Sequence, residues 1–257
     1  MSSKLSCNRQ AFTLIELLAA LAVLSMLVVL LFNAFSSSSR IMALGSNQME
    51  KNQVVRAVLQ QISRDLERTA YSSAAVNLYQ SAAASEVISG TGILTNTLYC
   101  LSTLTVEEEG NLLGTIASVG YRVTQVTLTN FGVPVNKWVL QRGMDAYVDP
   151  STHPTDWWNY SVTNTTYWQT LSDNIVGVAF QFYASPLTPP VTTWSSTTIP
   201  NNLPTAIQIS IWAIDSDSYN RALALDPSLS LTTAKNMLMN NVHQYTSRVF
   251  LPQSTQN

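Results

Sequence analysis

The chain has 257 residues, of which 11% are charged: 13 lysines and arginines stand against 15 aspartates and glutamates, giving a formal net charge of −2. This length is enough for one domain with a real hydrophobic core and an appended segment. The charge balance leaves no basic field that could bind nucleic acid through its phosphates, so no nucleic-acid contact is predicted.

The first predicted element is an apolar run near the N-terminus. From Leu17 to Phe32 the only polar side chain is Ser25, and with residues 12–15 in front the run reaches the roughly 20 residues that a helix needs to cross a bilayer. Two basic residues precede the run, and the next basic residue lies well beyond its end. This bias predicts a single-pass segment with a cytoplasmic N-terminus and a translocated body.

One acid, Glu16, stands inside this apolar run. A charged side chain in hydrocarbon costs at least about 2.5 kcal/mol by insertion scales, so it marks a function with a partner. Cleavage between Ala11, a small residue, and Phe12 would create a new amine at Phe12. Residues 12 and 16 of a helix share one face, one turn apart, so this amine is a candidate counter-ion for the carboxylate. It could belong to the same chain or to a neighbouring copy, which would draw helices together.

Residues 11–17, Ala-Phe-Thr-Leu-Ile-Glu-Leu, follow a basic leader and resemble the class III signal of type IV pilins and type II secretion pseudopilins. The resemblance implies that a prepilin peptidase cuts between Ala11 and Phe12, that the Phe12 amine is then N-methylated, and that Glu16 guides assembly. Ala11 departs from the family, which usually has Gly there. The alternative is a plain signal-anchor helix with a tolerated glutamate.

Beyond the apolar run the chain keeps helical periodicity, with apolar residues at three- and four-residue spacing: Val55, Val58, Leu59, Ile62 and Leu66. Charged residues, among them Arg64 and Asp65, largely occupy the other positions and predict a solvated stripe. A helix is therefore predicted from Phe12 to about Thr69. Behind the leader, 1–11, it has a transmembrane half, 12–35, and an amphipathic half, 36–71.

The remaining segment, 72–257, predicts a β-rich extracytoplasmic body. Its β-rich runs are Ile93–Val106, Ile116–Thr129, Trp138–Gln141, Ile175–Tyr183 and Ala206–Ile214. In the last of them isoleucines alternate with polar residues, which is typical of an antiparallel strand with one buried face. The resulting fold class is α+β and pilin-like: a long N-terminal helix packs on an antiparallel sheet body. A helical insertion is predicted near 217–244, either as a partner contact or as decoration.

A second, narrower resemblance comes from the order of four segments: VGYRV at 119–123, WVLQRG at 138–143, LSDNIVGVAFQFY at 171–183 and LPTAIQISI at 203–211. This order resembles the minor pseudopilin J and minor pilin W families, and also a pilin-like protein found in verrucomicrobial gene cassettes. It implies a structural subunit, and no enzyme, held in the bacterial inner membrane with a periplasmic body. Its partners would be the prepilin peptidase, inner-membrane lipid and sibling pilin-like subunits, near the tip of a type II secretion or type IV pilus-type filament.

Catalytic and cofactor chemistry has little support in the sequence. His153 and His243 have no partners at zinc-ligand spacing, and no nucleophile motif or phosphate-binding loop is present. Glu107, Glu108 and Glu109 are consecutive, so they predict a solvated hairpin tip. Neither a catalytic residue nor a cofactor is predicted.

A weak calcium candidate lies in the segment that starts AIDSDSYN. Asp215, Asp217 and Asp226 fall at the first, third and twelfth positions of a calcium loop, but Asn220 stands where the loop requires glycine. A turn exposed to solvent is the stronger interpretation of these residues.

Five aromatic residues cluster in DWWNYSVTNTTYW: Trp157, Trp158, Tyr160, Tyr167 and Trp168. Such a cluster packs a long loop over a sheet, or it forms a carbohydrate-stacking platform on the surface. The second interpretation gives an alternative function, a membrane-tethered adhesin or glycan-binding module whose N-terminal helix is only an anchor.

Overall fold

The computed structural model describes residues 14–69, 78–80, 84–103, 116–130, 133–145, 168–185, 188–191, 194 and 203–251. The chain divides into two compact units, Met1–Met49 and Glu50–Asn257. The first described element is helix α1, Leu14–Glu67, which has 54 residues and continues through Gly45.

The beginning of α1, from residue 14 to residue 35, is apolar on all sides apart from Glu16, Ser25 and Asn33. The segment Leu14–Met42 is long and apolar enough to cross a membrane, and none of its most apolar 18-residue window is buried within the protein. Large side chains such as Leu24 and Phe32 are 56% and 70% exposed. A helix that is hydrophobic all round is stable only in lipid or against other apolar surfaces, as the sequence predicts for this segment.

The part of α1 in the second unit buries a stripe at helical spacing. Val55, Val58, Ile62 and Leu66 are at most 5% exposed, and Leu59 is partly buried beside them. These are the apolar positions that the periodicity singled out. The prediction of a solvated charged stripe is wrong for Asp65, because only 2% of the surface of this residue is exposed.

Five antiparallel strands of the described chain form the first sheet, in the order β1-β4-β5-β6-β7. They are β1 Leu78–Gln80, β4 Leu98–Thr103, β5 Ile116–Asn130, β6 Val133–Asp145 and β7 Trp168–Ser172. A short separate pair consists of β2 Ser85–Glu86 and β3 Leu94–Thr95. The sequence pattern found only the middle of β6, because flanking Pro134 and Asn136 lower its apparent β propensity.

Three antiparallel strands of the described chain form the second sheet, in the order β10-β9-β8. They are β8 Ile175–Tyr183, β9 Ala206–Ala213 and β10 His243–Phe250. In β9 the alternating Ile207, Ile209 and Ile211 are fully buried, as the alternation of the sequence predicts. The expectation of a single buried face is wrong, since Ser210 and Trp212 on the other face are only 6% and 8% exposed.

Two hydrophobic clusters lie in the second unit. One joins the buried stripe of α1 to residues of both sheets, including Tyr121, Leu140 and Ile209. The other lies on the opposite side of the second sheet, where Trp212 and Ile214 meet two helices. These helices are α2, Ser216–Leu225, and α3, Thr232–Met239.

The predicted α+β class is thus confirmed. The segment predicted as a single inserted helix contains two helices before β10 begins. The turn predicted for the segment AIDSDSYN is wrong, since α2 begins at Ser216 and Tyr219 is fully buried.

Candidate functional site

Glu16 lies in the first turn of α1, with its side chain exposed among apolar neighbours. Leu14, Ile15 and Leu17 around it are 77%, 75% and 57% exposed. An acid in the first turn is favourably placed because the helix N-terminus carries a partial positive charge. Ala11 and Phe12 lie outside the described residues, so cleavage between them and the pairing of their new amine with Glu16 remain predictions.

A polar cluster inside the second unit joins α1 to the first sheet. Arg142 of β6 donates to both carboxylate oxygens of Asp65, with Nε–Oδ2 and Nη2–Oδ1 distances of 2.8 and 3.1 Å. Tyr121 of β5 donates its hydroxyl to Oδ2 of the same carboxylate. The bidentate ion pair and the added hydroxyl together offset the free-energy cost of removing the Asp65 carboxylate from water.

The pKa directions in this cluster follow from burial and from the Asp65 charge. Burial raises the pKa of the Tyr121 hydroxyl well above its usual value, and the neighbouring carboxylate raises it further. Burial acts against the Arg142 guanidinium, but its hydrogen bonds to Asp65 and the charge of that residue outweigh burial and raise its pKa. Burial also raises the pKa of the fully enclosed Cys100 thiol, which makes this cysteine unreactive.

The face of the first sheet opposite to Tyr121 and Arg142 carries a row of residues in register across all five strands. The row runs Tyr79, Tyr99, Gly120, Gly143 and Trp168. A Cβ atom at Gly120 would lie 2.9 Å from ring atoms of both Tyr99 and Trp168, and one at Gly143 would lie 2.9 Å from Trp168. The two rings meet edge to face with centroids 6.2 Å apart. The glycines are therefore needed because the aromatic rings lie directly over the backbone.

Of the predicted aromatic cluster, the structure describes only Trp168. Its ring lies over Gly143, and the Arg122 guanidinium is 3.9 Å from the ring centroid. Arg122 is held by Gln141, to which its Nε donates at 3.1 Å. Trp168 thus packs against its own sheet, while Trp157, Trp158, Tyr160 and Tyr167 lie outside the described residues, as do Glu107, Glu108, Glu109 and His153.

The three aspartates of the calcium candidate have different surroundings. Asp215 caps the N-terminus of α2 by accepting from the Ser218 amide at 2.8 Å, and Asp217 is exposed in the first turn. Asp226 ends the same helix, so it lies roughly 15 Å from Asp215 at 1.5 Å per residue. His243 is exposed at the start of β10. In the part of the chain that the structure describes, no group of three or more histidines, cysteines, aspartates or glutamates could hold a metal ion.

Asp226 instead organises the connection between α2 and α3. Its carboxylate accepts hydrogen bonds from the amides of Ser228, Ser230 and Leu231 and from both serine hydroxyls. These bonds, the Ser228 hydroxyl foremost, lower the pKa of Asp226 far below its ordinary value. They also hold the turn in which the buried Leu229 adopts a positive φ of 51°.

The predicted insertion is a structural cover over the second sheet. Tyr219, Ala222 and Leu223 of α2 and Ala234 and Leu238 of α3 are buried in the second hydrophobic cluster. Tyr219 also accepts from the Trp138 amide of β6 at 2.8 Å, which links this cover to the first sheet. The sequence leaves two interpretations of this insertion, a partner contact or decoration. The packing supports a third interpretation, in which α2 and α3 complete the hydrophobic core.

Comparison with known proteins identifies the N-terminal segment. Residues 6–32 match the family described as the prokaryotic N-terminal methylation motif. No curated protein matches the chain. Together with the exposed apolar helix, the match supports a type IV pilin-like protein, made as a prepilin and anchored in the inner membrane by a single span. It points to a structural subunit of a type IV filament or secretion system, processed by a prepilin peptidase and assembled with other pilins.

Proposed function

We propose that this chain is a minor pilin-like, or pseudopilin, subunit of a type II secretion or type IV pilus-type filament. The prepilin peptidase cuts after Ala11, the new amine of Phe12 is methylated, and the subunit joins sibling pilin-like subunits at or near the filament tip. The body lies on the periplasmic side of the inner membrane before assembly.

One observation carries this proposal: the single acid of the segment Leu14–Met42 stands in its first turn, inside the residues that match the methylation motif. A plain membrane anchor gains from a carboxylate at this position only the attraction to the helix N-terminus, about 1 kcal/mol or less, whereas the charge costs at least about 2.5 kcal/mol in hydrocarbon. In a subunit that docks onto a neighbour, the carboxylate pairs with the neighbour's N-terminal amine. This charge pair lowers the free-energy cost of the carboxylate in hydrocarbon, and it does so only in the assembled state. Glu16 is therefore the assembly residue of the proposal.

The proposal is tested first at the N-terminus of the chain purified from its own cell membrane. Mass spectrometry is expected to find a mature chain that starts at Phe12 and carries one methyl group on its amine. A chain that retains Met1, or a cut at another bond, would remove the basis for the pairing of Phe12 with Glu16.

The second test replaces Glu16 by glutamine, which keeps the size of the side chain and removes its charge. Membrane insertion is expected to be unchanged, while incorporation into filaments falls by about tenfold or more, because the attraction to a neighbour's amine is lost. Quantitative immunoblots of membrane and sheared-filament fractions give the two values. Glu50→Gln, which neutralises an exposed acid beyond the apolar segment, is the matched control. Wild-type incorporation of the Glu16→Gln variant would contradict the proposal.

A further inference from the structure

The two edges of the second sheet differ in how the chain satisfies their backbone groups. At the β8 edge, Asn96 donates its amide N–H to the Val178 carbonyl at 3.0 Å, and its side chain accepts from the Phe180 N–H at 3.0 Å and donates to the Phe180 carbonyl at 3.2 Å. Further along, Phe182 and Val191 exchange two backbone hydrogen bonds of 3.1 and 2.7 Å. The chain therefore covers this edge itself.

The opposite edge is formed by β10. All eight residues of β10 pair in unbroken register with β9, from His243 opposite Ala213 to Phe250 opposite Ala206. Among the described residues, no strand pairs with its other side. The Leu251 amide donates to the Thr205 carbonyl at 3.1 Å. The backbone groups of Leu251 therefore point toward β9, and this identifies the alternate residues of β10 whose backbone groups do the same.

In an antiparallel ladder, alternate residues direct their N–H and C=O groups to opposite sides of the strand. Counting back from Leu251, the backbone groups of four β10 residues point away from β9: Gln244, Thr246, Arg248 and Phe250. The side chains of the same four residues are exposed. We call these four residues the β10 edge.

Among the described residues, the β10 edge has few of the devices that usually protect a sheet edge, and its one charged side chain is Arg248. The strand HQYTSRVF contains neither proline nor lysine, it has no bulge in its pairing with β9, and the three residues that face α1, Tyr245, Ser247 and Val249, are uncharged. The edges of the first sheet are shorter, with three residues in β1 and five in β7, and the pairing of β7 with β6 is interrupted by a bulge. Among the described strands that stand last in a sheet, β8 and β10 are the longest, and of these two only β10 pairs with β9 without a break.

From these observations we infer that the β10 edge binds an extended strand of a neighbouring pilin-like subunit, which adds a fourth strand to the second sheet. Regularly spaced backbone donors and acceptors are matched by another extended backbone, as in other strand-addition complexes. The inference rests on the proposed function, since it takes the partner from the assembly that this function requires.

The side chains of the β10 edge indicate the chemistry of the incoming strand. Arg248 is exposed, and its neighbours are the neutral Tyr183, whose ring centroid is 4.1 Å from the guanidinium, and Gln208. Phe250 is 63% exposed, two residues further on the same face. The matching strand carries an acid opposite Arg248 and an apolar residue opposite Phe250. The β10 strand contains no acid, so a second copy of β10 would not supply this match.

The test measures amide hydrogen exchange at single-residue resolution in the full chain, once in sheared native filaments and once as detergent-solubilised monomer. In the monomer, amides directed toward β9, such as Ser247, exchange slowly, while those of the β10 edge exchange fast. In filaments, the β10 edge amides are expected to slow by about tenfold or more, because they become hydrogen-bonded. This alternating change is a signature that general burial of the strand would not produce.

A pair of variants then separates strand addition from other contacts. Thr246→Pro removes an outward N–H and leaves the ladder to β9 intact, so the monomer keeps its melting temperature while incorporation falls. Thr246→Val keeps the N–H and is expected to incorporate like the wild type. Arg248→Glu leaves every backbone N–H of β10 in place. It is expected to weaken incorporation because the new carboxylate repels the partner's acid.

Each outcome decides between the two proposals. If the chain enters filaments and the β10 edge amides still exchange fast, the strand-addition inference is wrong and the proposed function stands. If a chain with an intact α1 does not enter filaments, both fail. Crosslinks from position 246 to β10 of a second copy would overturn the assignment to a different subunit, whereas crosslinks to an acid-containing strand of another pilin-like subunit would support it.

Discussion

At the scale of single residues, the central polar contact of the second unit is made by the carboxylate of Asp65, which lies on the buried side of the amphipathic part of α1. Asp65 adjoins Leu66 in the stripe that faces the sheets, and its exposed fraction is 2%. The sequence contained a usable signal, since Asp65 follows Ile62 at a spacing of three and so shares its face. Its partners could not be predicted, because Tyr121 and Arg142 are 56 and 77 residues away and come into reach only through the pairing of β5 with β6.

The first prediction concerns this ion pair. Asp65→Asn is expected to lower the free energy of unfolding of the body by roughly 3 kcal/mol, because it leaves the Arg142 guanidinium largely buried without its counter-ion. Denaturant unfolding of the detergent-solubilised chain, followed by tryptophan fluorescence, measures the change. Glu67→Gln, which removes an exposed acid two residues further along α1, is the control and is expected to have little effect. A loss of equal size in both variants would contradict the structural role of Asp65.

The second prediction concerns alkaline pH. The folded state holds the protons of Tyr121 and Cys100 to a higher pH than the unfolded chain, in which their ordinary pKa values are 10.0 and 9.0. Proton release from these groups therefore favours unfolding, so their contribution to stability is constant below about pH 9 and falls as the pH rises further. Denaturant midpoints measured between pH 7 and pH 11 give the profile. Tyr121→Phe is expected to flatten its upper part, and an unchanged slope would assign the decline to other groups.

At the scale of elements, glycines in the middle of long strands are explained by the aromatic row of the first sheet. The segments VGYRV and WVLQRG are strand-like in sequence, but nothing in them explains Gly120 or Gly143. The reason is three-dimensional, because strand register brings Tyr99 and Trp168 from two other strands over these positions. Conversely, Trp168 lies next to the aromatic residues 157, 158, 160 and 167 in the sequence, but β7 places it on the sheet.

The third prediction follows from this close packing. Gly143→Ala is expected to destabilise the body by about 1–3 kcal/mol, because the new methyl group would lie within 3 Å of the Trp168 ring and force it aside. In a Trp168→Leu background the same substitution is expected to cost less, so a double-mutant cycle should yield a coupling energy between the two sites. Gly45→Ala, a mid-helix position with open space around it, is the control and is expected to cause no loss of stability. Equal losses in both backgrounds would show that the ring is not the obstacle.

At the scale of the whole molecule, the sequence was most informative where the pattern is local. The apolar segment, the buried positions 55, 58, 62 and 66 of α1, and strands β8 and β9 all follow from periodicity within a short window. The sequence pattern does not predict α2, because its SDSYN start has weak helix propensity and is stabilised by the Asp215 cap and by burial of Tyr219. It also could not assign the cover formed by α2 and α3, since a helix pair shows its role only against the sheet that it buries.

The last strand has a consequence for the order in which the second unit folds. Tyr245 of β10 donates its hydroxyl to Asn52 of α1 at 2.7 Å, across 193 positions of sequence. Val249 and Leu251 belong to the cluster that covers the buried stripe of α1. Contacts so distant form late, because the closure of long loops must precede them. In the export that the proposed function requires, the amphipathic part of α1 therefore emerges first and is completed last, so that a chain stalled before β10 would leave the buried stripe of α1 uncovered.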